Sequence, residues 1–282
     1  MVKSILACFA HPDDEVMLGP LIARYIAEGA QATLICTTNG DVGTVDEKHL
    51  QNYSSIAELR LAELHCATTA IGFTEVVTFG YRDSGMMGSE DNQHTDSMWQ
   101  ALLEEITQKV AEVMCRVKPQ VVITFNTYGA YGHPDHIKIN QATVEAFKLL
   151  QSELEHPQKL YYTCMRKTTL RVRLAMMRLQ GQDPRKAGKN ADIDLVAAYK
   201  ASNPVTTQVT TGKYLEAGWA ATACYASQIE ISPWTRRLRR ILGLLITDKT
   251  GLYRVMPAHE SGAHIEHDLF EGVLESSPDL GT

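Results

Sequence analysis

The sequence predicts an α/β protein: a Rossmann-like, doubly wound, mainly parallel sheet with helices on both faces and a smaller irregular C-terminal part. Three observations carry this reading. Strand-like apolar runs alternate with helix-like segments through about residue 165, the pattern of parallel strands joined by crossover helices. Two histidine clusters, an Asn39-Gly40-Asp41 turn and a long polar loop all fall at strand C-termini, the edge where such sheets gather their ligands. A chain of 282 residues with 44% apolar content can bury a sizeable core. Residues 1–165 form the Rossmann-like core. Residues 166–282 either complete that domain or form a small subdomain on the substrate side.

The elements follow in order. Residues 3–9 have a strongly apolar centre and read as a buried strand, and residues 16–28 as a helix ended near Gly29. Residues 32–38 form the next strand, closed by the Asn39-Gly40-Asp41 turn. In the helix expected over 54–71, Ile56, Leu59, Ala62, Glu63, Cys66 and Ala70 share one inward face, and Gly72 stops it. A short strand covers 75–79. The loop from Gly80 to about Ser97 is long enough to suggest a functional role. A helix at 98–117, a strand at 120–125, a helix at 136–154 and a strand at 160–164 complete the regular part. Beyond it, 166–189 is basic and loop-rich, 214–227 is helical, and 252–256 is strand-like.

The formal charge of −6 argues against a general nucleic-acid binder. The six cysteines are scattered without a C-x-x-C pair, which favours a reducing compartment. The first apolar run is too short for a signal peptide, and no stretch approaches the ~18 apolar residues of a membrane span. The expectation is a cytoplasmic protein without a transmembrane segment.

Two short stretches carry chemistry. Ala10-His11-Pro12-Asp13-Asp14-Glu15 follows the first strand, and Gly132-His133-Pro134-Asp135-His136 follows the fourth. His11 and Asp14, three apart past a strand end, can turn toward one point, and His136 can add a second nitrogen. Two histidines and one carboxylate, with a fourth position open, suit catalytic Zn²⁺ and also Fe²⁺. Asp13 is left over as a candidate general base. His133 could face substrate and, if protonated, stabilise an oxyanion or supply a proton to a leaving amine. Asp135 could hold that imidazole in its tautomer. The plain alternative is a capped strand-to-helix turn; two such turns at equivalent topological positions favour a site.

These two motifs together with Arg82-Asp83-Ser84-Gly85-Met86 resemble the PIG-L/LmbE-like zinc-dependent de-N-acetylase family, in particular its mycothiol-pathway deacetylase/amidase branch. The likeness covers residues 3–150 well. It implies an LmbE-type catalytic core with zinc on His11, Asp14 and His136, Asp13 as base, and His133 as the electrostatic or acid partner oriented by Asp135. It further implies Tyr131 as a mobile carbonyl-polarising residue, and Arg60 and Asp83 as sugar-binding residues. Glu15 is assigned to supporting the helix start. Ala130 stands where the family pattern suggests a second glycine after Gly129.

The implied activity is removal of an N-acetyl group from an N-acetylglucosaminyl-type small molecule, freeing acetate and an amine. An amidase for a larger, thiol-conjugate amide and a catalytically silent sugar-binding protein are the alternatives. The expected partner is a small amidosugar, with no nucleic acid, and homo-oligomerisation stays open. Two weaker signals have plain readings. His259, His264 and His267 read as a solvated polar tail. The amphipathic stretch Trp234, Leu238, Ile241, Leu242 and Leu245 reads as a helix packed on the core or in an interface.

Overall fold

The first strand is the centre of the sheet. Ser4–Phe9 (β1) is buried along its whole length. It pairs in parallel with Gln31–Thr38 (β2) on one side and Val121–Thr124 (β4) on the other. A strand with neighbours on both edges and helices on both faces has no solvent side, so a continuous apolar run is what it needs. Glu75–Tyr81 (β3), at the sheet edge beside β2, alternates between partly buried and exposed residues instead. The computed structural model describes residues 2–151, 156–165, 167–188, 190–229, 249–260 and 262–274.

Seven strands run in the order β3-β2-β1-β4-β5-β7-β6, with β5 at Lys159–Thr163, β6 at Thr207–Thr210 and β7 at Lys249–Met256. The first five are parallel. β7 is antiparallel to both β5 and β6, so the chain after residue 165 extends the same sheet. The strand order reverses between β1 and β4. That is the topological switch point of the sheet, and crevices form outside the strand ends there.

Two groups of helices cover the faces. Gly19–Ala27 (α1), Ile56–Ile71 (α2) and Leu215–Cys224 (α8) pack on one another; Leu103–Val117 (α3) and the short Gly129–Gly132 (α4) pack on Pro134–Gln151 (α5). The bounds of α2 follow from its caps. The Ser55 side chain accepts the Glu58 N–H, and Gly72 closes the helix at φ 96°.

Several expectations change. The inward face of α2 is Leu59, Arg60, Glu63, Leu64, Ala67, Thr68 and Ile71, while Ala62 and Cys66 are exposed. Glu63 keeps its expected place on this face, whereas the charged Arg60 joins it because its partners lie inside. The segment after 165 is not mainly loop. Lys167–Leu179 (α6) is a helix that seats Leu174 with Leu195 of Leu195–Ala201 (α7), its basic residues having masked the spacing. The helix expected from 98 begins at Leu103, after a run of turns. Cys66 of α2 and Cys224 of α8 form a disulfide across 158 residues, a pairing created by the packing of the two helices. The stretch around Trp234 lies outside the described residues. Among the described residues, no helix is long and apolar enough to cross a membrane.

Candidate active site

The two histidine motifs leave neighbouring strands at the switch point, which is why residues far apart in sequence meet. After β1 the chain turns sharply through Pro12 and Asp13 into a short 3-10 helix, Asp14–Leu18. Asp13 sits at φ 109°, a region L-residues rarely enter. The Asp14 carboxylate folds back to accept the His11 backbone N–H at 2.7 Å. After β4, Gly129 at φ 67° brings the second loop against the start of α5. A Cβ there would stand 2.9 Å from the Cβ of His136, so only glycine fits.

Three side chains converge. His11 Nδ1 lies 3.0 Å from His136 Nε2 and 3.5 Å from Asp14 Oδ2, and His136 Nε2 lies 3.3 Å from Asp14 Oδ1. Tetrahedral ligands on bonds of about 2.0–2.1 Å stand about 3.3 Å apart, so this spacing fits a divalent metal ion. The outer nitrogens agree. His136 Nδ1 is 3.2 Å from the Gly129 carbonyl, and His11 Nε2 is 3.2 Å from Asp135 Oδ2. If both donate, the facing nitrogens are lone pairs aimed at one point, the outer-shell arrangement of metal-binding histidines. Phe125 stacks on His136 at 3.8 Å and 4°, fixing the plane of the ring. All three candidate ligands are buried.

The other expected site residues surround this triad. Asp13 Oδ2 accepts from Arg60 at 2.8 Å, and the same guanidinium bonds the Pro12 carbonyl. Arg60 is buried beside Gly40 and Gly43, either of which would strike it with a Cβ, and its Nε has no partner among the described residues. Asp83 Oδ1 lies 3.5 Å from His11 Nε2 and 3.7 Å from His133 Nε2. The Tyr131 ring is 5.0 Å from His136 and 6.2 Å from His133. It also lines a cavity of about 500 Å³, together with Val16, Met17, Ala130, Trp219 and Leu252.

His133 and Asp135 are arranged differently from the simplest expectation. The backbone N–H of Asp135 donates to His133 Nδ1 at 3.2 Å, so neutral His133 carries its proton on Nε2. The Asp135 carboxylate stands 3.9 Å from that same Nδ1 and closer to His11, and it also accepts from the backbone N–H of Ser84 at 2.9 Å and from the Ser84 hydroxyl. The 80–97 loop is thereby fastened to the second motif.

Burial and neighbouring charge set the protonation states. Burial opposes the charged form of His11, but Asp83, Asp135 and Asp14 outweigh it and hold the imidazole well above its usual range. Burial, together with the positive potential of His11 and His136, drives His133 well below its usual range. Burial pushes Asp13 up to about 6, partly offset by Arg60. Asp14 goes the other way: burial would raise it, but His136 and His11 hold it well below the carboxylate range.

Sequence reading missed two contributors, Ser84 and Tyr225. Ser84 lay inside a quoted motif without a role. Tyr225 donates to Glu15 Oε1 at 2.7 Å from the far end of the chain. Glu15 itself accepts the Asp13 backbone N–H at 3.1 Å, so it supports the turn that presents Asp13. The motif spacing pointed to Glu15, whereas no local signal marks Tyr225.

Comparison with known proteins adds independent findings. The model of the PIG-L family, described as GlcNAc-PI de-N-acetylase, matches residues 6–147. The chain is similar to the 1D-myo-inositol 2-acetamido-2-deoxy-alpha-D-glucopyranoside deacetylases of Streptomyces avermitilis and Thermobispora bispora. The first is 33% identical over 96% of this chain and 97% of the relative; the second is 34% identical over 96% and 99%. Among solved structures, the N,N'-diacetylchitobiose deacetylase of Pyrococcus horikoshii aligns with a TM-score of 0.56 at 20% identity, over 90% of this chain and 84% of that one. The 4-carboxy-2-hydroxymuconate hydratase GalB of Pseudomonas putida aligns with a TM-score of 0.59 at 18% identity, over 93% and 100%. A hydratase and a deacetylase on one scaffold show that these two likenesses speak to fold alone.

Proposed function

The chain belongs to the PIG-L family of GlcNAc-PI de-N-acetylases, and from that premise we propose how its site removes an acetyl group from an N-acetylglucosaminyl-type small molecule. The enzyme is an amide hydrolase that frees acetate and a primary amine. The substrate we propose is an N-acetylglucosaminyl inositol, the compound for which the similar deacetylases are named. The observation that carries the reading is the set of three buried side chains, His11, Asp14 and His136, whose facing nitrogen and oxygen atoms lie 3.0–3.5 Å apart, with Asp13 next in the chain.

His11, Asp14 and His136 would hold the ion, with Zn²⁺ first and Fe²⁺ as the alternative for two nitrogens and a carboxylate. Such an ion supplies Lewis-acid polarisation and lowers the pKa of water at its open position toward about 7. The chain's own residues do the rest. Asp13 takes the proton of the attacking water, and the same group is placed to return a proton to the leaving nitrogen. Neutral His133 presents Nε2–H to the developing oxyanion, with the Tyr131 hydroxyl as second donor. Asp135 positions both imidazoles, His133 through its backbone N–H and His11 through its carboxylate. Asp83 faces the cluster and would accept a sugar hydroxyl, and Arg60, which holds Asp13, is assigned with it to the sugar.

The test is acetate release from N-acetylglucosaminyl inositol, with and without a chelator, beside a larger acyl-glucosamine amide. Release that stops on chelation and returns with added metal supports the reading. Release indifferent to chelation overturns the metal role, and a preference for the larger amide moves the substrate to the amidase alternative. Asp13→Ala is expected to retain metal and lose about 10²–10⁴ in turnover; unchanged turnover removes the base assignment.

A further inference from the structure

Asp13 needs an external hold. Its φ of 109° is unfavourable for a residue with a Cβ, and such a conformation persists only where surrounding contacts over-determine it. Its backbone N–H donates to Glu15 Oε2 at 3.1 Å, and its carboxylate and the preceding carbonyl are both gripped by Arg60. Glu15 is fully buried, and its other oxygen accepts the hydroxyl of Tyr225 at 2.7 Å.

Tyr225 follows the last residue of α8. That end of the chain is held against α2, the helix that carries Arg60, by two separate ties. Cys224 is joined to Cys66, and the Ser227 backbone N–H and hydroxyl donate to Glu63 at 2.9 and 2.7 Å. Both arms that grip the Asp13 turn therefore come from helices fastened to each other. Tyr225 lies beyond residues 6–147, where the family model matches.

We propose that Tyr225, acting through Glu15, is a positioning residue that holds Asp13 in its working conformation, so that α8 serves as a clamp on the proton-transferring turn. This rests on Asp13 being the base. Among the described residues the Tyr225 hydroxyl bonds Glu15 and none of the candidate ligands, so its removal should reach turnover through the orientation of Asp13, leaving metal binding and KM in place.

The experiment measures kcat and KM for acetate release, bound metal and melting temperature in Y225F, E15Q, D13N and the Y225F/D13N pair. Phenylalanine keeps the buried ring and removes one hydrogen bond to a buried carboxyl group. The expected result for Y225F is a kcat about tenfold lower, with KM and metal content at parent level. E15Q is expected to lower kcat in the same direction. In the D13N background, the added Y225F change should have little further effect, because the group it positions is gone. A kcat for Y225F or E15Q at the parent value overturns the proposal. So does a Y225F penalty that persists undiminished in D13N, or one that follows lost metal. D13N turning over like the parent overturns the base assignment itself, which separates failure of that reading from failure of the clamp.

Discussion

Replacing Asp135 with Asn exchanges one carboxylate oxygen for an NH₂ group at a fully buried position. Asp135 Oδ2 lies 3.2 Å from His11 Nε2 and takes the Ser84 N–H at 2.9 Å, while Oδ1 takes the Ser84 hydroxyl. The substituted amide keeps one acceptor. With its oxygen at the Oδ2 position, the NH₂ meets Ser84 Oγ, which already accepts the Trp99 N–H at 2.9 Å, and the serine proton loses its partner. The reverse orientation sets NH₂ against two N–H groups and is worse. His11 then leans on a neutral amide oxygen, where a charge-assisted bond contributes about 1.5–3 kcal/mol and a neutral one about 1. Losing about 1–2 kcal/mol of support for a ligand agrees with the 10–100-fold drop in metal affinity usual for such outer-shell changes. The assay is competition for zinc against a chromophoric chelator. An apparent Kd weakened on the order of tenfold is expected, with kcat at saturating metal less affected. A Kd unchanged within about threefold, with kcat reduced, would refute this reasoning and return the Asp135 carboxylate to His133.

Three further outcomes are expected. Burial would raise Glu266, but its bonds from Lys159 and Thr207 outweigh burial and hold it below the ordinary value of 4.5. Its stabilisation is therefore complete above that value and lost as pH falls through the lower folded one. Glu266→Gln leaves buried Lys159 uncompensated, so it should cost about 3–5 kcal/mol at pH 7 and flatten the acid limb of a denaturant-midpoint profile; an unchanged limb counts against it. Ala130 holds φ 60°, ψ −66°. Ala130→Gly should release about 1–3 kcal/mol of strain against about 0.4–1 of added chain entropy, and a lower melting temperature would contradict this. The Cys66–Cys224 bond closes a loop of 158 residues, worth up to about 5 kcal/mol in the chain-entropy account. Cys66→Ser should lower the denaturant midpoint, and equal midpoints would show that the crosslink contributes nothing.

What the chain's own order determined is local. The apolar runs at β1 and β4 define buried strands because only a strand covered on both faces tolerates no polar side, and a parallel sheet then gathers the loops leaving its strands at one edge. His11, Asp13, Asp14, His133 and His136 were legible for that reason: all of them lie in the loops or helix starts that directly succeed β1 and β4. The start of α3 and the inward face of α2 were harder, since turns at 98–102 contain helix-compatible residues and Arg60 looks solvent-facing until its partners are known. Tertiary structure decided the rest. Ser84 meets Asp135 across 51 residues, Cys66 meets Cys224 across 158, and Tyr225 meets Glu15 across 210. No periodicity encodes such a pair, because each depends on how whole helices pack after the sheet has formed. The opening motif supplied the residue types for a metal site and a base. The packing of α8 on α2 and the fold of the 80–97 loop decided what holds them in place, and through Asp135 which imidazole nitrogen each partner reaches.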